Sequence, residues 1–172
     1  MAAAIVLVTG LPAAGKSTLA RRLGRALGWP VLSLDSVKEA LHAQAPAVDR
    51  AVLRRQSETI LWVLAADQPS PVFIDLWVQP GRDNLRVRAD VSALGVPAAE
   101  IVCAVDAETA VARYRARQRD GPHQPADSEV LDRIRAAATA WGPLGVGPTL
   151  TVATAQPVDL GPVVDWLQAQ LS

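Results

Sequence analysis

The chain has 172 residues, which is enough for one domain with a substantial hydrophobic core. Half of the residues are hydrophobic and a fifth are charged, a composition that excludes an intrinsically disordered chain. The 17 basic and 17 acidic residues cancel, so the net charge does not favour a nucleic-acid-binding protein.

The hydrophobic segments and the single cysteine indicate the cellular compartment in which the protein is expected. Residues 1–8 are apolar but few, and they lack the basic region of a signal peptide, so they predict a strand. No apolar run approaches the roughly 20 residues of a membrane-spanning helix. Cys103 cannot form an intramolecular disulfide, and its apolar neighbours predict a buried, inert thiol. We therefore expect a cytoplasmic protein that makes no membrane contact.

Short apolar runs alternate with helical patterns along the chain. The predicted strands cover residues 5–9, 31–34, 71–76, 100–105 and 150–153. The predicted helices cover residues 16–27, a segment from about 36, then 48–66, 82–94, 107–119, 128–140 and 160–171, with Ser128 as an N-cap. This alternation indicates an α/β fold, a five-stranded parallel sheet with helices on both faces. Because neither a repeat nor a linker is visible, residues 1–172 are predicted to form a single domain.

The segment 10–18 is the most specific motif in the chain. It reads Gly-Leu-Pro-Ala-Ala-Gly-Lys-Ser-Thr and fits the P-loop pattern of P-loop NTPases. Its glycines let the backbone close around a phosphate, which the loop N–H groups and the following helix N-terminus bind. Lys16 is expected to reach the β- and γ-phosphates, and Ser17 to coordinate Mg²⁺. The expected contacts to ATP are Gly10, Ala13, Ala14, Gly15, Lys16, Ser17 and Thr18.

The rest of the chain narrows the class of P-loop protein. The guanine-reading sequence Asn-Lys-x-Asp of GTPases is absent from the sequence, and the chain is too short for a motor ATPase with a helical lid domain. Length and layout suit a small-molecule kinase, although a P-loop by itself does not define one.

Three further stretches, together with the P-loop, carry a family resemblance. They are residues 32–39 (Leu-Ser-Leu-Asp-Ser-Val-Lys-Glu), residues 72–75 with Arg82 downstream, and an arginine-rich segment ending in residues 119–123 (Arg-Asp-Gly-Pro-His). With them the chain resembles the small P-loop kinases called "AAA family ATPase" or "predicted kinase", relatives of the chloramphenicol phosphotransferase, zeta-toxin and polynucleotide kinase families. The resemblance implies a nucleotide-kinase-like fold with a small arginine-bearing lid, which we place at residues 107–127.

Two aspartates are expected at the carboxyl ends of strands, where ligands bind in such sheets. The resemblance implies that Asp35 is the catalytic base that accepts the proton of a substrate hydroxyl; alternatively, Asp35 caps a helix starting at Ser36. Asp75 ends an apolar strand, which is where P-loop proteins commonly place the carboxylate that holds Mg²⁺. The alternative prediction is that Asp75 binds the substrate. Trp77 is placed to wall the substrate site.

Arginines supply the remaining candidates. Arg82 contacts substrate or phosphate by resemblance, or belongs to a surface helix with ion pairs. Arg113 and Arg117 are four residues apart and are expected to share a helix face, followed by Arg119. The resemblance implies a lid whose arginines stabilise the charge of the transition state. The alternative is that these arginines form a solvated basic helix face. The resemblance implies that residues 154–157, including Gln156, lie against the adenine. His123 lies in the predicted lid loop, where it is either a functional residue or an ordinary loop histidine.

Together these features predict an ATP-dependent phosphotransferase that uses Asp35, Lys16, Arg117 and Arg113 in catalysis. The expected acceptor is a hydroxyl of a small molecule: an antibiotic, a sugar or amino sugar, or a nucleoside. The alternative is an ATP-binding regulatory or toxin-like module acting on a macromolecule, including a polynucleotide 5′-hydroxyl kinase. We do not expect nucleic acid as a partner, because the net charge is zero, and the oligomeric state stays open.

Overall fold

The computed structural model describes residues 3–117 and 122–171. It confirms the predicted α/β fold with a five-stranded, entirely parallel sheet. In chain order the elements are β1 (Ile5–Gly10), α1 (Lys16–Leu27), β2 (Val31–Ser33), α2 (Leu34–Gln44), α3 (Arg50–Ala66), β3 (Val72–Asp75), α4 (Asn84–Ala93), β4 (Ala98–Ala104), α5 (Ala107–Ala116), α6 (Ser128–Ala140), β5 (Thr149–Ala153) and α7 (Gly161–Leu171).

The strand order β2-β3-β1-β4-β5 places β1 at the centre of the sheet. Val8 of β1 and Ser33 of β2 both pair in register with Asp75, the last residue of β3. Because the strands are parallel, the segments that follow β1, β2 and β3 all emerge at the same edge. This edge therefore collects the phosphate loop, the start of α2 and the end of β3.

The hydrophobic core lies on both faces of the sheet. Alternation along β1 sends Val6 and Val8 to one face and Ile5 and Leu7 to the other, which explains why the strand is apolar at every position. The first face packs against α1, α5, α6 and α7, and the second against α3, α4 and the start of α2. Within the described ranges, no helix is long and apolar enough to cross a bilayer.

One predicted helix start and one predicted N-cap differ from the structure. The strand β2 ends at Ser33 and α2 begins at Leu34, whose side chain is buried on the second face of the sheet. Asp35 therefore lies in the first turn of α2, neither at a strand end nor at a cap. The N-cap of α6 is Asp127, not Ser128, because the Asp127 carboxylate accepts the Val130 N–H at 2.9 Å.

Candidate active site

The loop after β1 holds a backbone conformation that small residues permit. Gly10 and Gly15 have φ values of 138° and 92°, and Ala13 has 62°, alone among the described non-glycine residues in being positive. A Cβ atom on Gly10 would lie 2.6 Å from the carbonyl oxygen of Cys103, so a side chain does not fit there. Left-handed backbone at a non-glycine residue is strained, and such strain clusters at ligand-binding loops. The geometry suits a loop whose N–H groups surround an anion.

The helix α1 begins without a side-chain cap. Its N-cap is Gly15, and among the described residues no side chain accepts a capping hydrogen bond at this end. Acidic residues are also absent from the first turn. The positive end of the helix and its first N–H groups therefore face the phosphate loop, which is where a phosphate binds in such motifs.

Lys16 is buried at the start of α1 and binds the loop itself. Its Nζ atom donates to the carbonyl oxygens of Leu11 at 2.8 Å and Gly10 at 3.1 Å. Burial lowers the pKa of Lys16, and the nearby Asp75 and Asp35 carboxylates act in the opposite direction. A phosphate beside Lys16 would add to the effect of these carboxylates and favour the charged ammonium.

Two carboxylates and a hydroxyl join Lys16 around one cavity. Asp75 is buried at the end of β3, and Asp35 is 43% exposed in the first turn of α2. The Nζ atom of Lys38 donates to Oδ1 of Asp35 at 3.0 Å. Ser17 lines the same cavity from the start of α1. The structure thus brings the predicted base, the predicted magnesium ligands and the P-loop lysine together.

Two adjoining cavities meet at the phosphate loop. The larger has a volume of about 470 Å³ and is bounded by the loop, the starts of α2 and α3, the end of β3, the lid segment and α6. The smaller, of about 340 Å³, lies between the loop and the segment after β5, where it is lined by Thr18, Thr154, Ala155 and Gln156. Ala13, Gly15 and Arg117 line both cavities and so mark their junction, and the neighbouring Lys16 lines the larger. A nucleotide site and an acceptor site on either side of a phosphate loop have this arrangement.

Asp83, at the N-cap of α4, is the centre of a buried ion network beside the larger cavity. Its carboxylate accepts the backbone N–H of Gln79 at 3.0 Å and pairs with Arg82 at 2.7 Å and Arg54 at 3.2 Å. Burial acts to raise the pKa of Asp83, but these hydrogen bonds and charges outweigh it and lower the pKa to about 2. Arg82, predicted as a substrate contact or an ion-paired surface residue, lines the cavity while paired with Asp83.

The same network fixes the segment that follows β3. A guanidinium nitrogen of Arg54 donates to the carbonyl oxygen of Trp77 at 3.2 Å and lies 2.9 Å from the buried carboxylate of Glu58. Arg86 also pairs with Glu58. Because α3 supplies Arg54 and Glu58, this helix holds the backbone of Trp77 in place at the cavity wall.

Trp77 is half-buried and stacks on Trp141, with ring centroids 5.4 Å apart and an interplanar angle of 11°. Trp141 begins a loop that a buried carboxylate anchors to the sheet. One oxygen of Glu100 accepts the Thr9 hydroxyl at 2.8 Å, and the other accepts the Leu144 N–H at 2.7 Å. Burial raises the pKa of Glu100. Trp141 therefore supports the indole of Trp77 at the wall of the larger cavity.

The lid-side arginines lie differently from the prediction that they share a helix face. Arg113, in α5, donates to the carbonyl oxygens of Thr154 at 3.0 Å and Ala155 at 2.8 Å. Arg117 lies beyond the end of α5 with an extended backbone, which takes it off that helix face. Arg117 lines both cavities, whereas Arg113 lines only the smaller. Arg119 lies outside the described residues.

His123 connects the lid loop to α2. Its Nε2 atom lies 2.6 Å from Oε1 of Glu39, and the imidazole is buried although Glu39 is largely exposed. His123 also lines the larger cavity. The contact brings the segment that precedes α6 against the helix that carries Asp35.

Sequence reasoning missed several cationic residues of the larger cavity. Arg50 and Arg54 come from the start of α3, and Arg133 comes from α6. In the sequence these arginines belong to ordinary amphipathic helices, and only the tertiary positions of α3 and α6 bring them to one cavity. Glu58 carried one weak signal, because an acidic residue within an apolar helical stretch needs a buried partner.

The central strand, its phosphate loop and the strand order define a P-loop nucleotide-binding protein of the nucleotide-kinase type. The sequence also assigns the chain to a family. Residues 5–141 match the model of a family described as an AAA domain, and the chain belongs to this family.

Solved structures share the fold over nearly the whole chain. A protein from Chloroflexus aurantiacus, provisionally assigned as a kinase, aligns with a TM-score of 0.85 and 25% identity, covering 98% of each chain. A gluconokinase from Sinorhizobium meliloti 1021 aligns with a TM-score of 0.63 and 18% identity, covering 98% of this chain and 91% of that one. Kti12 from Chaetomium thermophilum, in complex with ADP-AlF3, aligns with a TM-score of 0.65 and 15% identity, covering 98% and 99%.

The matches confirm the predicted resemblance to small P-loop kinases and the nucleotide-kinase-like fold. The gluconokinase and Kti12 are less than 25% identical to this chain and indicate the shared fold alone. No match was found among curated proteins compared with the sequence.

Proposed function

We propose that the protein is a kinase that transfers the γ-phosphate of magnesium-bound ATP to a hydroxyl group of a small molecule. The observation that carries this proposal is the pair of cavities that meet at the phosphate loop, with Lys16, Asp35 and Asp75 at the larger one. A volume of about 470 Å³ falls in the range of small-molecule sites, which is roughly 300–1,000 Å³.

The nucleotide occupies the smaller cavity and the phosphate loop in this proposal. Its adenine lies against the segment of Thr154 to Gln156, whose first carbonyl oxygen Arg113 holds. The triphosphate lies on the loop N–H groups and the start of α1. Ser17 and Asp75 both offer oxygen atoms to the larger cavity, the donor type that Mg²⁺ prefers, so they are the proposed magnesium ligands. When bound, Mg²⁺ neutralises developing charge on the phosphates.

The acceptor lies in the larger cavity, with its hydroxyl next to Asp35. The Asp35 carboxylate orients this hydroxyl and accepts its proton as the oxygen bonds to the γ-phosphorus, while the bond from that phosphorus to the β,γ-bridging oxygen breaks and ADP leaves. Lys38 holds one carboxylate oxygen, which fixes the direction of the other. Trp77 packs against the acceptor body, and Arg82 lines the wall beside it. Lys16 and Arg117 stabilise the charge on the transferring phosphoryl group, while Arg113 supports the nucleotide wall.

An ADP-release assay with a panel of sugars, amino sugars, nucleosides and hydroxylated antibiotics tests this proposal. We expect release to rise at least about tenfold with the right acceptor and to fall to background in Asp35→Asn, since general-base catalysis supplies roughly 10²–10⁴ in rate. Lys16→Ala is expected to lose turnover as well. The control is Asp67→Asn, an exposed aspartate at the end of α3, which should retain full activity.

Full phosphoryl transfer by Asp35→Asn would reject Asp35 as the base. ADP release that never depends on a small molecule would instead favour the second candidate, an ATP-gated module acting on a macromolecule. If the macromolecule is a polynucleotide, its binding should weaken steeply with salt, because phosphate contacts release counterions.

A further inference from the structure

The larger cavity carries far more positive than negative charge. Among the described residues, seven Lys or Arg side chains line it, against three aspartates. The cationic side chains are Lys16, Lys38, Arg50, Arg54, Arg82, Arg117 and Arg133, and the acidic ones are Asp35, Asp49 and Asp75. A polyol or other neutral acceptor gains nothing from such an excess, so the distribution of these charges bears on what the acceptor is.

Most of the cations have an assigned partner or task. Lys38 pairs with Asp35, and Arg54 and Arg82 both pair with Asp83 outside the cavity. Asp49 is the N-cap of α3, and its carboxylate accepts two backbone N–H groups of the first turn. Lys16 and Arg117 stand at the phosphate loop, on the nucleotide side.

Of the seven cationic side chains, Arg50 and Arg133 are left without such an assignment. Arg50 forms no ion pair or side-chain hydrogen bond within residues 3–117 and 122–171. Arg133 donates to the neutral side-chain oxygen of Gln124 at 3.0 Å, and no carboxylate of the described residues pairs with it. Two arginines from different helices, α3 and α6, thus bring uncompensated charge to one cavity.

These two arginines are not part of the nucleotide site. Neither lines the smaller cavity, whose cations are Arg22, Arg113 and Arg117. A triphosphate seated on the loop and the start of α1 already has Lys16, Arg117 and the helix N-terminus as its positive partners. The charge of Arg50 and Arg133 therefore acts on the acceptor side.

We infer that the acceptor is a hydroxylated small molecule with an acidic group, a carboxylate or a phosphate, which Arg50 and Arg133 bind. This inference rests on the proposed kinase function and narrows its substrate class. Guanidinium groups bind both kinds of anion through paired, charge-assisted hydrogen bonds. The acidic group lies against α3 and α6, and the hydroxyl lies at Asp35.

The test uses acceptor pairs that differ in the acidic group: glycerate and glycerol, gluconate and glucitol, glucose 6-phosphate and glucose. Binding is measured by calorimetry on the full chain saturated with Mg²⁺ and a non-hydrolysable ATP analogue, and ADP release is measured with ATP. We expect at least one acid to bind about tenfold or more tightly than its neutral partner. The first two pairs report a carboxylate, and the third reports a phosphate.

Arg50→Gln and Arg133→Gln are expected to weaken binding of that acid about tenfold each, without weakening the neutral partner. Arg55→Gln, an exposed arginine of α3 outside the cavity, is the matched control and should bind like the unaltered protein. Melting temperatures of all variants show whether each is folded.

Acids that bind no more tightly than their neutral partners would overturn the inference, as would variants that weaken both members of a pair equally. The two proposals fail separately. Phosphorylation of neutral acceptors without any preference for acids leaves the kinase standing and removes the anion site. Tight, arginine-dependent binding of acids without ADP release leaves the anion site and removes the kinase.

Discussion

Replacing Asp83 by asparagine removes the charge at the centre of the network that supports the cavity wall. The folded-state pKa of about 2, against an ordinary value of 3.8, means that folding favours the ionised carboxylate. The difference of 1.8 (3.8 less 2) corresponds to about 2 kcal/mol of stability at neutral pH. The arginines also lose their counter-ion, but Arg54 and Arg82 are 25% and 50% exposed, so solvent screens their charge and the total loss is expected to be about 2–3 kcal/mol.

The pH dependence follows from the direction of the shift. A lowered pKa stabilises the fold fully at pH values above the unfolded pKa, and the contribution is lost as the pH falls from 3.8 towards 2. At pH 3 about half of it, roughly 1 kcal/mol, should be gone.

Urea unfolding of the unaltered protein and Asp83→Asn at pH 7 and pH 3 measures both quantities. The control is Asp90→Asn, which removes a distant and partly exposed partner of Arg86 at 3.8 Å and should cost less than about 0.5 kcal/mol. A difference between the unaltered protein and Asp83→Asn that is below 0.5 kcal/mol at pH 7, or identical at the two pH values, would refute the reasoning.

Three further predictions concern the loop, the cavity wall and the lid. Gly10→Ala should weaken nucleotide binding by at least about 2 kcal/mol, since its Cβ would meet a β4 carbonyl at 2.6 Å; unchanged affinity in calorimetry would contradict the loop geometry. Trp141→Ala should destabilise the fold by about 1–3 kcal/mol in urea unfolding and raise the acceptor KM through Trp77, whereas a KM equal to that of the unaltered protein would separate the stack from the site. Glu39→Gln should leave global stability within about 0.5 kcal/mol yet speed proteolysis in the lid about two- to fivefold, because it weakens the His123 contact; equal cleavage rates would show that the contact does not hold the lid.

The fold and the phosphate loop were largely predictable from the sequence. The P-loop is a local motif whose backbone geometry depends on Gly10 and Gly15, so nine consecutive residues specify it. The apolar strands are continuous because both faces of the sheet are covered, and their positions followed from that pattern.

The larger cavity, the proposed acceptor site, was not predictable to the same extent, because residues distant in sequence line it. Arg50 and Arg133 lie on different helices, α3 and α6, far apart in the sequence. No local sequence feature distinguishes them from Arg55, which lies outside the cavity. Asp35 was predicted at the end of β2 but lies in the first turn of α2. The helix begins earlier than the strand pattern indicated, at the buried Leu34. Tertiary packing decided both cases.

The central claim is the transfer of phosphate to a small-molecule hydroxyl, and phosphorus NMR tests it most directly. The protein is incubated with Mg²⁺, ATP and an acidic acceptor, and the spectrum is followed for a new phosphomonoester resonance. We expect this resonance to grow in step with ADP and to be absent in Asp35→Asn. ADP that accumulates with inorganic phosphate alone, for every acceptor, would contradict the account and identify an ATPase instead.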